Sequence, residues 1–200
     1  MNHDQILRKR AGVTLPTVVA RILRTWDRAN PSDIEAGARW YDEAGQLASD
    51  LADGTNWTRQ DVAAVIAHLS PRTSWTRNVA GATAMVRSGD GDAAREVGCI
   101  GDNVDRAQSV LDGWDNPLDT FGVKAHKTRR FYANILGDRE AVTVDVWALK
   151  VAGVTEQQLN RVGVYDALEH AYQLAARRRG VDPATMQATT WIVARNGRAD

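Results

Sequence analysis

The chain has 200 residues, 25 basic and 25 acidic, with a formal net charge of zero. That length suits one compact domain or two small interleaved lobes, and the balance confines any attraction to nucleic acid to a local patch. One cysteine, Cys99, excludes an internal disulfide framework, a cysteine-rich zinc site and a four-cysteine iron–sulfur cluster. The opening MNHDQILRKR is polar and no eighteen apolar residues run together, so a soluble cytoplasmic protein with no membrane partner is expected.

Helical periodicity accounts for nearly all of the chain. From Pro16, residues Val18, Val19, Ile22, Leu23 and Trp26 share one helical face, and Asn30-Pro31 marks its end. Ser32 and Glu35 form a capping-box pattern for a second helix that Ile34, Ala38, Tyr41, Leu47, Ala48 and Leu51 carry to Gly54. A third helix spans 58–69 and stops at Ser70-Pro71, and a fourth runs from about 74 to 87. The run SGDGD reads as a turn, with short helices near 93–97 and 103–111 and a loop-rich DGWDNPLDTFG after them. Beyond residue 151 come a connector, a helix over about 165–179 ending in Arg177-Arg178-Arg179, and a last helix behind the Asp182-Pro183 cap pair. No run alternates with period two, so the fold class is all-α.

The central stretch, FGVKAHKTRRFYANILGDREAVTVDVWALKV, places Lys127 in a basic cluster and returns a carboxylate, Asp145, eighteen residues later. A helix over 127–136 would cover roughly 15 Å before the Gly137-Asp138 turn, and the chain could then bring Asp145 back beside it. Lysine and aspartate together suit nucleophilic attack on a sugar carbon with a carboxylate supporting the positive charge. The same spacing also fits Asp145 as the N-cap of a helix through Val146-Trp147-Ala148-Leu149, with Lys127 a surface lysine. His3, His68 and His170 have no metal-site spacing, and no metal or cofactor is expected.

Four segments, read in order, resemble the helix-hairpin-helix DNA glycosylase superfamily, the endonuclease-III-like group. AHLSPRTSWTRN at 67–78 is similar to the family's L-S-x-Q-T-x-D-x-x-x-N junction, through Leu69, Ser70, Thr73 and Asn78. CIGDNVDRAQSVL at 99–111 is similar to its I-G-x-x-x-x-K-A segment, with Arg106-Ala107 in the Lys-Ala place. Gly122-Val123, Lys127-Thr128 and Val144-Asp145 match the hairpin G-V-G-x-K-T and the V-D that follows at the family's own interval. TWIVARNGR at 190–198 is like the closing W-L-x-x-x-G-R. The chain departs from the pattern in a lengthened hairpin turn, in Val146-Trp147 where the family has Thr-His, and in Arg72 where its wedging glutamine stands.

The resemblance implies a two-lobed helical domain of the helix-hairpin-helix type acting on DNA, with a base extruded from the duplex, or a modified base, held between the lobes. It makes Asp145 the residue that stabilises the sugar cation and Lys127 a Schiff-base nucleophile, giving an N-glycosylase with AP lyase activity and no iron–sulfur cluster. Trp75 and Trp147 are the candidates for stacking on the base. Arg72, Arg77, Asn78, Lys124, His126, Arg129 and Arg130 are candidates for nucleic-acid binding, against the alternative of solvated helix faces. Three other readings stay open: a phage-encoded DNA base-hypermodification enzyme of the same fold, a catalytically silent DNA- or protein-binding module, and a purely structural α-helical phage or bacterial protein.

Overall fold

The computed structural model describes residues 1–113 and 116–196. These form helices α1 (His3–Ala11), α2 (Leu15–Trp26), α3 (Pro31–Ala52), α4 (Arg59–Leu69), α5 (Trp75–Ser88), α6 (Gly91–Glu96) and α7 (Gly101–Leu111). A 3₁₀ turn (Pro117–Thr120) precedes α8 (His126–Ile135), α9 (Val146–Ala152), α10 (Glu156–Leu159), α11 (Val164–Arg179) and α12 (Pro183–Arg195). There is no strand among the described residues, and the fold is all-α. Trp114 and the Gly-Arg that closes the last motif lie outside the described residues.

The chain divides into two compact units, one made of Met1–Tyr41 with Asp138–Asp200 and the other of Asp42–Gly137. In the first, α1, α2, α9, α11 and α12 pack around a core that includes Leu7, Val18, Ile22, Leu168, Tyr172 and Met186, all fully buried. The apolar stripe on α2 that periodicity marks is the face turned into this core. Two backbones come unusually close at Gly37, where a Cβ would lie 2.1 Å from Thr189 Oγ1 and 2.8 Å from the Thr189 nitrogen. Glycine at 37 is what lets the start of α3 meet α12.

The second unit is organised on α4, whose residues 62–69 are all buried. A helix apolar on every side needs neighbours on every side, and α5, α7, α8 and the 3₁₀ turn supply them. Thr58 and Asp61 cap its start reciprocally. At its end, Asn78 of α5 donates from Nδ2 to the Ile66 carbonyl at 3.0 Å, a bond made in the interior.

Three elements differ from the sequence reading, the first being α10, which a Thr155–Gln158 capping box starts inside the expected connector. The polar N-terminus forms α1, closed at its start by an Asn2–Gln5 capping box and at its end by Gly12 at φ 68°. The box that starts α3 is Asn30 with Asp33, each side chain accepting the other's backbone N–H at 2.9 Å, and not Ser32 with Glu35. Pro31 opens the helix, so the cap stands one residue before it, and Glu35 pairs instead with Arg39 one turn on.

Candidate functional site

Residues 141–144 are buried and belong to no helix or strand. Buried backbone must still be hydrogen-bonded, and α11 meets that need with two side chains one turn apart. Val142 N–H donates to Glu169 Oε1 at 3.0 Å, the Tyr165 hydroxyl donates to the Val142 carbonyl at 2.9 Å, and Val144 N–H donates to the Tyr165 oxygen at 3.1 Å. The segment is thus braced up to the residue before Asp145.

Asp145 takes extended backbone angles as the N-cap of α9, and its Oδ1 accepts the Trp147 and Ala148 amides at 3.0 and 2.9 Å. The side chain is half-buried, held where the first-turn amides and the helix dipole favour negative charge. Behind it lie buried hydroxyls. Tyr41 donates to Gln187 Oε1 at 2.6 Å, while Thr189 Oγ1 has no hydrogen-bond partner among the described residues. Burial pushes the Tyr41 and Tyr172 phenols well above their ordinary range, and the Asp145 charge adds to the rise. Both stay protonated at neutral pH, so the first unit holds a fixed carboxylate backed by neutral hydroxyl dipoles.

Lys127 is half-buried in the first turn of α8, whose N-cap, Ala125, has no side-chain capping bond. The lengthened turn before it closes through Ala125 N–H to the Gly122 carbonyl at 2.9 Å. Lys127 belongs to the second unit and Asp145 to the first.

The nucleic-acid candidates divide by exposure. Lys124, His126, Arg72 and Arg77 are exposed, and Arg130 is half-buried. Arg72 has φ 58°, a left-handed conformation that costs an ordinary residue about 1–2 kcal/mol. It sits at the third position of a turn closed by Thr73 N–H to the Ser70 carbonyl, and buried Asn103 pins the Pro71 carbonyl at 2.8 Å. The backbone strain holds an exposed guanidinium at the tip of a braced turn.

Three assignments change. Asn78 is 1% exposed and spends its amide on α4, so it is a core clamp and not a nucleic-acid contact. Arg129 turns back to donate to the Phe121 carbonyl at 3.1 Å, stapling the loop before its own helix. Trp147 packs against the first unit's core with the Lys150 ammonium 4.3 Å from its ring centroid, so one ring face is already covered. Trp75 is half-buried and meets Phe131 edge-on at 6.4 Å.

Sequence reasoning missed Tyr165 and Glu169. Their signal was a glutamate inside the apolar face of α11, four residues after a tyrosine, but their partner is backbone more than twenty residues upstream. Among the described residues, no group of three or more His, Cys, Asp or Glu is arranged to hold a metal ion, and no helix is long and apolar enough to cross a membrane.

Neither the curated proteins nor the solved structures contain a match to this chain. The model of a family of unknown function, DUF7178, matches residues 4–198. The chain belongs to that family.

Proposed function

We propose that this protein is a DNA glycosylase-like enzyme that cleaves a nucleobase N-glycosidic bond, with Asp145 stabilising the sugar cation. The observation that carries the reading is the setting of Asp145: a half-buried carboxylate on a helix N-terminus, at the end of a segment braced by Tyr165 and Glu169. Such a fixed anion can support developing positive charge without reorganising during the reaction. Lys127 serves as the amine that attacks the sugar carbon, from a first-turn position where the helix dipole opposes positive charge. The order of the four glycosylase-like segments supports the assignment, and the strained, exposed Arg72 supports a contact with the opened duplex.

The test is a gel assay on duplex and single-stranded DNA carrying uracil, oxidised, alkylated or hypermodified bases, with borohydride trapping. Base release lost in Asp145→Asn, together with a covalent adduct lost in Lys127→Gln, is the expected result. Base release without an adduct removes the lyase role from Lys127. DNA binding without turnover on any base overturns the enzyme reading in favour of a binding module.

A further inference from the structure

One face of α2 and the turn that continues it carries Arg21, Arg24, Thr25 and Arg28, spaced three, four and seven residues along. Together with Lys150 and Gly153 from the far end of α9, these residues line a surface cavity of ≈ 220 Å³ in the first unit. Four of the lining side chains are cationic, and none of the described lining residues is a carboxylate. Formal charge over the whole chain is zero, so this is a local concentration of one sign.

The cluster is built and not merely a crowded surface. Arg21 Nη1 donates to the Ala152 carbonyl at 2.8 Å, which fixes the guanidinium over the last turn of α9. That position exists because residue 153 is glycine: a Cβ there would stand 2.0 Å from the same nitrogen. Asp27, the carboxylate next in sequence to this face, is engaged by Arg179 of α11 at 2.7 Å. Arg21, Arg24 and Lys150 place three positive charges on this concavity, which raises the potential that an anion meets there. The volume falls below the roughly 300–1,000 Å³ of sites that enclose drug-sized molecules. It fits a single charged group, and guanidinium forks match phosphate oxygens in particular.

We propose that this cavity binds a phosphate group, and that in the working enzyme the group is a backbone phosphate of the DNA strand. The choice of source rests on the DNA reading above. It is consistent with the layout of α9, whose seven residues span about 10 Å between Asp145 and the cavity.

The experiment measures affinity for a fluorescent oligonucleotide across a salt series, for wild type, Arg24→Gln/Lys150→Gln and the charge-preserving Arg24→Lys/Lys150→Arg. Both positions are exposed, and matching circular-dichroism melts establish that the variants are folded. Losing one phosphate contact should make the slope of log K against log salt shallower by about 0.9 and weaken binding about 8-fold at 0.1 M salt. The charge-preserving variant should keep the wild-type slope. An unchanged slope in the glutamine variant, with wild type binding DNA, overturns the phosphate site and leaves the glycosylase reading intact. If wild type binds no DNA, inorganic phosphate at constant ionic strength decides: a rise in melting temperature that the glutamine variant loses keeps the site and replaces its source with free phosphate or a nucleotide. No such rise overturns the site as well.

Discussion

Asp145 has two roles that substitution can separate, because one depends on an acceptor oxygen and the other on charge. Its Oδ1 accepts two of the four first-turn amides that α9 leaves without helical partners. Asparagine caps as well as aspartate, so Asp145→Asn keeps the cap and loses the charge–dipole term, about 0.3–1 kcal/mol. Asp145→Ala loses the cap too and should cost about 1–2 kcal/mol. For a chain of this size each kcal/mol moves the melting temperature by roughly 2–4 °C, so alanine should lower Tm by about 2–8 °C and asparagine by less. Circular-dichroism melts give the stabilities, and base release gives the activity, which should fall at least about 10²–10³-fold in both variants. Equal melts for the two variants would refute the capping argument. A fully active Asp145→Asn would refute the electrostatic one.

Tyr165→Phe keeps the ring in the core and deletes the oxygen that holds Val142 and Val144. Two buried backbone groups then lack partners, and chemical denaturation should show a loss of about 2–4 kcal/mol, with turnover falling alongside. Gly37→Ala should destabilise by about 1–3 kcal/mol despite alanine's better helix propensity, because the new methyl meets Thr189 backbone as well as its hydroxyl; an unchanged or raised Tm would count against that close approach. His68 is buried, stacked on Phe121 at 4.0 Å and bonded to Thr120 Oγ1 at 2.8 Å, and burial lowers its pKa from 6.5 to about 4. Below pH 6.5 the unfolded chain takes up a proton that the folded one refuses. The native state therefore keeps its full stability above that pH and should lose up to about 3 kcal/mol as pH falls to 4, with His68→Gln flattening the profile.

Helices with a wide apolar stripe were legible from residue spacing alone, as α2 illustrates through Val18, Val19 and Ile22. α1 was not, because its ends are set by Asn2, Gln5 and Gly12 while its body is charged. Asp145 was legible as a cap from the apolar run behind it. The support beneath it was hidden, since Tyr165 and Glu169 bond to backbone atoms, and backbone carries no sequence signature. Asn78 misled for the converse reason: a polar residue in the first turn of α5 looks like a surface contact until α4 is seen to need a donor at Ile66. The basic stripe on α2 was present in the spacing of Arg21, Arg24 and Arg28, but its meaning depends on the end of α9, brought in from more than a hundred residues away.

The division of the chain has a consequence for how it is made. The second unit is one continuous stretch, Asp42–Gly137, so it can close as soon as that stretch has left the ribosome. The first unit waits. The apolar faces of α1 and α2 are covered by Leu168, Tyr172 and Met186, which are synthesised last, so Val18, Val19 and Ile22 remain uncovered until α11 and α12 have emerged. A translation pause after Gly137 has left the ribosome and before α11 and α12 have emerged would hold a nascent chain with one finished half and one sticky half, and chaperone dependence should concentrate in that interval.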